Sequence, residues 1–413
     1  MNRPRYVVVG GGVAGAATAH HLRKLGFDGE VVLVGEEPRP PYERPPLSKG
    51  LLTGETGADE LSVNPPEWYA EQQIDLRTGT RATDLDVAAR TVTLSGGERL
   101  RYDALVLATG VRPRRLPGLE GDRVHYLRTI ADAERLRDRL AAADRLAVLG
   151  AGFIGCEVAA AAVGLGKQVV VFEPEPAPMR RALGTVIGAV MIDIHRSRGV
   201  LVRTGERVTD VRETANGLLL TSDQGYQVEC DLVVVGVGSV PNVELAERAG
   251  LRIDGGVVVD AYGRTSAPDV YAVGDVVSQY HPRYGQWIRV EHHDTAVRQG
   301  ANVAANLTGQ AREFAEAHWF WSDQYEHSLQ SVGRVHDLED LVVRGSLEER
   351  DFSAFSLVDG RIHGVISLNR PRDVLEVRRL LFTEHHVTAE QLQDESVPLK
   401  HLVPRPARTA ARA

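Results

Sequence analysis

The same glycine pattern occurs twice in this chain of 413 residues, and it constrains the fold more than any other feature. The stretches 10–15 and 150–155 both fit G-x-G-x-x-G, and each follows a short apolar strand, opens a helical stretch and leads to a second apolar strand. In such a unit the first glycine permits a tight turn, the second lets a pyrophosphate approach the backbone, and the third lets the helix pack on the strand. The repeat predicts two dinucleotide sites in one chain.

An acidic residue closes each unit at the end of its second strand. Glu36 has this place in the first unit and Glu173 in the second. A carboxylate at this point hydrogen-bonds the hydroxyls of an unphosphorylated ribose, so the second unit is predicted to take NADH. Arg180 and Arg181 follow a few residues later and could receive a 2'-phosphate, which leaves NADPH as the alternative.

Composition and charge exclude several classes of protein. The net charge of -8 argues against general affinity for nucleic acids. No apolar run reaches the length of a membrane span, and the first residues lack the layout of a signal peptide, so a cytoplasmic protein is expected. The two cysteines, Cys156 and Cys230, are far apart and provide neither a disulfide framework, a Cys-x-x-Cys redox pair nor a cysteine zinc site. No metal site is predicted.

The pattern of the chain changes after Trp321. Strand-like runs at 341–345, 352–358 and 362–368 precede a helix at about 372–383, which predicts an α+β arrangement. The final stretch, 405–413, is rich in alanine and arginine, and a frayed tail is expected there.

A set of further motifs resembles one family, the FAD-dependent NADH:ferredoxin reductases of oxygenase and cytochrome P450 systems. The motifs are PPLSK at 45–49, LATG at 107–110, YLRT at 126–129, GVGSVPN at 236–242, AVGD at 272–275, WFWSDQY at 319–325 and DESVPL at 394–399. They extend over nearly the whole chain. The resemblance implies hydride transfer from NADH to FAD, followed by transfer of single electrons to a [2Fe-2S] ferredoxin that supplies a P450 or a Rieske oxygenase.

The resemblance also implies an α/β fold with two Rossmann-like dinucleotide-binding domains of the glutathione-reductase type and a C-terminal α+β domain. The expected boundaries are 1–113 and 247–321 for a discontinuous FAD-binding domain, 114–246 for the NAD-binding domain and 322–413 for the C-terminal domain. The first domain is expected to be discontinuous because the aspartate of the Val-Gly-Asp motif, Asp275, binds FAD in that family.

Site residues are carried over from the family motif by motif. Lys49, Glu157 and Trp321 are expected to be catalytic, with Lys49 near the reactive end of the flavin, Glu157 as its ion-pair partner and Trp321 against the ring beside Trp319. The expected FAD-binding residues are Gly10, Gly12, Ala14, Gly15, Glu36, Arg44, Lys49, Ala82, Ala108, Arg128, Asp275 and His293, and those for NADH are Gly150, Gly152, Ile154, Gly155, Glu173 and Gly238. Phe153 is expected to form an aromatic lid.

One departure from the family concerns the residues beside the flavin, where this chain has Glu291, His292 and His293. A histidine here could tune the flavin potential or respond to pH, and histidine pairs that are simply hydrogen-bonded are the commoner case. FAD binding is not put in doubt by this departure.

The cysteines discriminate among relatives that have the same two dinucleotide folds. Disulfide reductases, thioredoxin reductases, coenzyme A disulfide reductases and NADH peroxidases need a cysteine near the flavin, and neither cysteine of this chain fits that position. A rubredoxin reductase and an apoptosis-inducing-factor-like, NADH-sensing flavoprotein remain as rivals. For a ferredoxin partner, Arg298, Arg370 and Arg372 are predicted to form a basic rim, against the alternative that they are ordinary solvated arginines.

Overall fold

The first glycine motif lies between a buried strand and a helix. In the computed structural model, which describes residues 3–335 and 340–402, β1 ends directly before the motif and α1 begins inside it. The elements of this first part are β1 (Arg5–Val9), α1 (Val13–Lys24), β2 (Glu30–Val34), α2 (Gly50–Thr53), α3 (Pro66–Glu71), β3 (Ile74–Arg77), β4 (Ala82–Asp86), β5 (Thr91–Leu94), β6 (Arg99–Arg101), β7 (Ala104–Leu107), β8 (Val111–Pro113) and β9 (Val124–His125).

The second motif lies in the same position between β10 and α5. The elements of this part are α4 (Ile130–Ala141), β10 (Arg145–Leu149), α5 (Phe153–Gly164), β11 (Gln168–Glu173), α6 (Arg180–Ser197), β12 (Leu201–Thr204), β13 (Val208–Thr214), β14 (Gly217–Ser222), β15 (Gln227–Cys230), β16 (Leu232–Val235), β17 (Ser239–Pro241) and α7 (Glu244–Arg248).

The last part of the chain contains a small mixed sheet, a long helix and an antiparallel sheet. Its elements are β18 (Val257–Val259), β19 (Val270–Ala272), β20 (Val277–His281), β21 (Gln286–Ile288), α8 (His293–Leu307), β22 (Trp319–Gln324), β23 (His327–Gly333), β24 (Val342–Ser346), β25 (Asp351–Val358), β26 (Arg361–Leu368), α9 (Pro371–Leu380) and α10 (Ala389–Gln393). Short 3-10 turns occur at Pro45–Ser48, Ala58–Leu61, Gly274–Val276 and Leu399–His401.

Two parallel five-stranded sheets have the same strand arrangement. One has the order β19-β7-β1-β2-β3 and the other β9-β16-β10-β11-β12, so β1 and β10 are each central and each directly precede a glycine turn. In each sheet the strands that follow the central strand in sequence are first added on one side of it, as β2 and β11 are. Later strands, β7 and β16, are added on its other side. Ligands of doubly wound sheets bind at this switch point, outside the carboxyl ends of the strands.

The first sheet is completed by a strand from far along the chain. Residues of β19 pair in parallel with β7, with Val270 opposite Leu105, although the whole second sheet lies between them in sequence. The chain passes between the two sheets at β8 and β17, which pair antiparallel. The domain boundaries predicted at 113/114, 246/247 and 321/322 remain predictions; the second falls inside α7 and the third inside β22.

The C-terminal part is an antiparallel sheet with the order β22-β23-β26-β25-β24, and α9 packs on it. Phe355 is fully buried in its core, and the fully buried Phe352 belongs to the core cluster that this sheet shares with the second nucleotide unit. The helix predicted at 372–383 ends earlier, at Leu380, because Leu381 adopts an extended ψ of 136° and Phe382 has a left-handed φ of +67°. The tail predicted to be frayed, 405–413, lies outside the described residues.

Close packing of α1 against α8 connects the first glycine turn to the late segment. A Cβ on Gly300 of α8 would lie 2.6 Å from the carbonyl oxygen of Ala14, so this crossing requires glycine.

Among the helices of the described residues, none combines the length and the apolar character needed to cross a bilayer.

Candidate functional site

A cleft of about 1020 Å³ lies beside the first glycine turn. Its walls come from the ends of β1 and β7, from the first two turns of α5, from the N-terminus of α8 and from β22. Small-molecule sites usually have roughly 300–1,000 Å³, so this cleft is at the size expected for a ligand as long as a dinucleotide.

The three glycines of the first turn are required for different reasons. A Cβ on Gly10, whose φ is +131°, would lie 2.0 Å from the carbonyl oxygen of Ala108, and one on Gly15 would lie 2.1 Å from that of Gly10. By contrast, a Cβ on Gly12 would meet no protein atom within 4 Å. Because Gly12 borders the cleft, a side chain there would occupy ligand space. This open place at a helix N-terminus fits a pyrophosphate.

The second turn repeats this packing. A Cβ on Gly150, with φ of +97°, would lie 2.5 Å from the carbonyl oxygen of Gly236, and one on Gly155 would lie 2.1 Å from that of Gly150. Gly152 has more room, with that carbonyl oxygen of Gly236 at 3.9 Å. Gly238 adopts a left-handed φ of +101° between β16 and β17.

The carboxylate of Glu173 organises the second turn. It accepts hydrogen bonds from the backbone N–H of Ala151 at 2.7 Å and from that of Glu175 at 2.9 Å. Glu175 also forms an ion pair with Arg180 at 3.1 Å. Arg180, one of the two arginines that could receive the 2'-phosphate of NADPH, is therefore already paired with a carboxylate.

The cleft brings together predicted residues from distant parts of the chain. Those in its lining are Gly10, Gly12, Ala14, Glu36, Arg44, Lys49, Ala82, Ala108, Arg128, Ile154, Glu157, Asp275, His293 and Trp321. Gly15 lies behind the turn, and Gly150, Gly152, Gly155, Glu173 and Gly238 lie at the second sheet. Asp275 follows Gly274, where an added Cβ would lie 3.0 Å from Cβ of Ala14, so the late Val-Gly-Asp motif does reach the first glycine turn.

Two guanidinium groups lie close together in the cleft. Arg44 donates to Glu37 at 2.8 Å and to the carbonyl oxygen of Arg128 at 2.6 Å, and Arg128 donates to Asp275 at 3.2 Å. Burial lowers the pKa of Arg128, and the neighbouring charge of Arg44 lowers it further. A bound anion would relieve this repulsion, so the pair fits the phosphates of a dinucleotide.

The cleft lining also contains an ion pair between a partly exposed lysine and a buried glutamate. Nζ of Lys49 is 2.8 Å from Oε1 of Glu157, whose side chain is only 7% exposed. The same carboxylate accepts hydrogen bonds from the hydroxyls of Ser48 at 2.5 Å and Ser322 at 2.6 Å. Such additional donors satisfy the lone pairs that would otherwise make a buried carboxylate costly.

Aromatic side chains form one wall of the cleft. Trp321 borders the cleft and stacks on Trp319, with ring centroids 4.9 Å apart, and His293 contacts its edge at 5.7 Å. Phe153 packs edge-on against Phe320 at 4.9 Å, and both of these rings also line the cleft. Sequence reasoning missed Phe320, although it lies between the two tryptophans that it singled out.

The two adjacent histidines have different surroundings. Burial lowers the pKa of His292 to about 4, and its Nδ1 atom has no hydrogen-bond partner within the described part of the chain. His292 is therefore neutral near pH 7, which argues against a switch at that pH on this residue. The ring of His293 instead lies against the carboxylate of Glu43.

The predicted basic rim needs correction. Arg298 forms ion pairs with Asp294 and Glu316, and Arg370 forms ion pairs with Asp351 and Glu395. Their charges are compensated locally, because each guanidinium has two carboxylate partners. Of the three predicted rim residues only Arg372 is exposed without an ion pair among the described residues.

Neither cysteine faces the cleft. Cys156 and Cys230 are both buried, and burial raises the pKa of both thiols, that of Cys230 to about 12.

Within residues 3–335 and 340–402, no group of three or more histidines, cysteines or carboxylates is placed to hold a metal ion.

The comparison with known proteins agrees with this geometry. Residues 4–300 match the family model described as pyridine nucleotide-disulphide oxidoreductase, and residues 319–403 match the reductase C-terminal model. The chain belongs to the pyridine nucleotide-disulphide oxidoreductase family. The C-terminal match begins at Trp319, the first residue of β22.

Curated relatives extend over almost the full length. The chain is 38% identical to putidaredoxin reductase of Pseudomonas putida, covering 96% of both chains. It is 41% identical to the ferredoxin–NAD(+) reductase component of the anthranilate 1,2-dioxygenase system of Burkholderia cepacia, covering 97% of this chain and 99% of the relative. Among solved structures, the covalent putidaredoxin reductase–putidaredoxin complex matches with a TM-score of 0.93 and 38% identity, covering 97% and 98% of the two chains.

Some members of the site were not predicted from the sequence. They are Ser48 and Ser322, which hold Glu157, and Asn242, which exchanges two 2.8 Å hydrogen bonds with Thr109 between the two sheets. All three lie inside family motifs, at 45–49, 319–325 and 236–242. Their spacing gave no indication of which groups they would meet.

Proposed function

We propose that this chain is an NADH-dependent ferredoxin reductase that binds FAD, takes hydride from NADH and delivers single electrons to a [2Fe-2S] ferredoxin serving a cytochrome P450 or a Rieske oxygenase. The observation that carries the proposal is the meeting of the Gly12 turn, Asp275 and the Lys49–Glu157 pair in one cleft. Relatives named as reductases of such systems, matched over nearly their full length, support it.

FAD supplies the redox chemistry when bound, since it accepts a hydride and passes electrons on singly. The residues of this chain would hold it along the cleft. Gly12 leaves room for the pyrophosphate, Arg44 and Arg128 face its charge, and Glu36 is exposed at the end where a ribose would lie. Asp275 already accepts from Arg128 and is placed to receive a further hydroxyl donor.

The Lys49–Glu157 pair is proposed to act on charge in the cleft. A fixed cation placed where negative charge develops stabilises that charge without reorganisation, and it does so more strongly where water is excluded. Glu157 keeps Lys49 in place, and the two serine hydroxyls keep Glu157 in place. Lys49 is therefore the preorganised positive end of this pair, at the meeting point of the two nucleotide folds.

NADH is proposed to bind at the second glycine turn, with its adenosine ribose toward Glu173. Phe153, the first residue of α5, lines the cleft, so a nicotinamide there would meet the aromatic pair that it forms with Phe320. Neither buried cysteine can relay electrons, so the exit proposed for them is directly past Trp321 to the partner. The cytoplasmic location remains a prediction from the sequence.

Rapid mixing of the purified holoprotein with NADH and with NADPH, followed by a panel of [2Fe-2S] ferredoxins and a rubredoxin, tests the proposal. We expect fast bleaching of the flavin absorbance by NADH, and cytochrome c reduction that depends on added ferredoxin. Slow flavin reduction that no carrier accelerates would favour the NADH-sensing alternative. Electron transfer to rubredoxin in preference to every ferredoxin would favour the rubredoxin reductase.

A further inference from the structure

We infer that Ser322, Gln324 and His195 are positioning residues for the ion pair in the cleft. They form one hydrogen-bonded chain that begins at Glu157 and ends at Tyr325. This inference rests on the proposed role of the Lys49–Glu157 ion pair. Glu157 lines the cleft, whereas the three positioning residues lie outside the cleft lining.

The bonds of this chain all have ordinary lengths. The hydroxyl of Ser322 donates to Oε1 of Glu157 at 2.6 Å and accepts from Nε2 of Gln324 at 3.0 Å. Oε1 of Gln324 lies 2.9 Å from Nε2 of His195, and Nδ1 of His195 lies 2.9 Å from the hydroxyl of Tyr325. Together these five side chains connect β22 and its turn with α5 and α6.

The chemistry of the groups gives the chain one direction. Oε1 of Gln324 can only accept, so Nε2 of His195 carries the proton and Nδ1 must accept from Tyr325. Every donor therefore points toward Glu157. Hydrogen bonds aligned in this way polarise one another, which strengthens the last bond to the carboxylate.

Burial makes this arrangement costly to break. Ser322 is fully buried, and Gln324 and His195 are each only 2% exposed. Burial also lowers the pKa of His195, so its ring is neutral near pH 7 and keeps the single proton that the chain needs. A buried polar group that loses its partner costs about 1–3 kcal/mol, so each member holds the next in place.

The register of β22 explains how one strand serves both the cleft and the chain. Successive side chains of a strand point to opposite faces, so Phe320, Ser322 and Gln324 share one face, while Trp321 and Asp323 lie on the other. The serine and glutamine of this face are buried against α5 and α6, whereas Asp323 is exposed. The C-terminal sheet thereby acts on the ion pair formed between the first two parts of the chain.

The test uses two variants that break the hydrogen-bonded chain, Ser322→Ala and Gln324→Met, and one that keeps the hydroxyl, Ser322→Thr. Lys49→Met, which removes the ion pair itself, is the reference. Ser331→Ala is the matched control, because Ser331 is a buried serine on the neighbouring β23 and opposite Phe320. Each holoprotein is measured for FAD content, flavin midpoint potential, and kcat and KM for NADH. Nitrogen-15 spectra of the histidine rings, with His195→Phe for assignment, report the protonated nitrogen of His195.

Ser322→Ala is expected to lower the rate of flavin reduction about tenfold, with an unchanged KM for NADH, because a hydrogen bond to a charged group is lost. The flavin potential should become more negative by as much as about 30 mV, the equivalent of a tenfold change for a two-electron couple. Gln324→Met should shift both quantities in the same direction and change the His195 spectrum, while Ser322→Thr restores the parent values.

Three results would contradict the inference, and they are distinguishable. If Ser322→Ala and Gln324→Met match Ser331→Ala in potential and rate while Lys49→Met shifts both, the chain is structural only. If Lys49→Met also leaves the potential and the rate unchanged, the proposed role of the ion pair fails, and this inference fails with it. A His195 ring protonated on Nδ1 alone would contradict the stated direction of the chain.

Discussion

Lys49 and Glu157 are 108 positions apart in sequence, yet Nζ of the first lies 2.8 Å from Oε1 of the second. Lys49 follows the 3-10 turn after β2, and Glu157 lies on α5 of the second sheet. The contact therefore joins the two nucleotide folds at the point where their ligands would meet. Separating the two folds would therefore break an ion pair whose carboxylate is buried.

Replacing the acid of this pair should impair chemistry more than binding. In Glu157→Gln the cation loses its partner, and we expect flavin reduction to slow by about 100-fold, the lower end of the scale for one preorganised electrostatic contact. Stopped-flow measurement with NADH checks this, with Glu67→Gln on the exposed face of α3 as the control. Unchanged reduction in Glu157→Gln would remove the pair from the mechanism.

The glycines of the first turn should respond differently to the same substitution. Gly12→Ala should leave the thermal unfolding of the apoprotein unchanged but abolish tight FAD binding, because its Cβ meets only cleft space. Gly15→Ala should instead destabilise the apoprotein by about 1–3 kcal/mol or more, the usual cost of overpacking. Calorimetry and FAD content distinguish the two variants, and equal FAD content in Gly12→Ala and the parent would contradict the proposed pyrophosphate position.

The choice of nicotinamide cofactor should depend on Glu173. Glu173→Ala removes the acceptor of the Ala151 N–H and the proposed ribose partner, so we expect KM for NADH to rise about tenfold, the scale of a charged hydrogen bond. FAD content should not change. Steady-state assays with both nucleotides check this, and Glu36→Gln is the matched control, since it should affect FAD alone. A selectivity for NADH that survives in Glu173→Ala would show that other groups read the ribose.

Buried histidines should make the protein sensitive to acid. Burial lowers the pKa of His292 to about 4 and that of His318 to about 3, from an ordinary value of 6.5. The unfolded chain therefore takes up protons first, and the free energy of unfolding should be constant above pH 6.5 and decrease as pH falls toward 4. Urea unfolding at pH 7 and pH 5 measures this loss. His318→Phe should reduce it, and an identical pH dependence in that variant would exclude His318 as a source.

Arg372 is the remaining test of the predicted basic rim. Arg372→Glu should raise KM for an acidic ferredoxin at low salt, with the difference fading at high ionic strength because exposed charges are screened. Arg370→Glu is the comparison, since that residue already pairs with two carboxylates. Identical KM values and salt dependence for Arg372→Glu and the parent protein would show that the rim does not contact the partner.

The family description mentions disulphides, but this chain has no thiol to offer beside the cleft. Cys156 lies on α5 one residue before Glu157, and its Sγ contacts the carbonyl oxygen of Ala151 at 3.6 Å on the buried side of the helix. Adjacent residues on a helix point about 100° apart, which explains why one borders the cleft and the other does not. The prediction from the sequence that cysteine chemistry is absent is consistent with this placement.

The sequence by itself determined the two nucleotide units, because their strands, turns and helices depend on local rules. A tight turn after a strand needs glycine at Gly10 and Gly150, and an apolar strand followed by an alanine-rich helix folds in the same way wherever it occurs. The resemblance of the motifs added which residues belong to each site. Even the return of Asp275 to the first turn was expected in this way.

Only the tertiary structure decided which side chains meet. Ser322, His195 and Glu157 are far apart in sequence, and no periodicity relates them. The hydrogen-bonded chain that connects them exists only because β22 packs on α5 and α6. Arg298 and Arg370 look like free surface charges in the sequence, yet carboxylates from other segments neutralise them. Local sequence preferences determine where helices and strands form. Contacts between distant elements depend on how sheets and helices pack, and that packing is determined by many residues together.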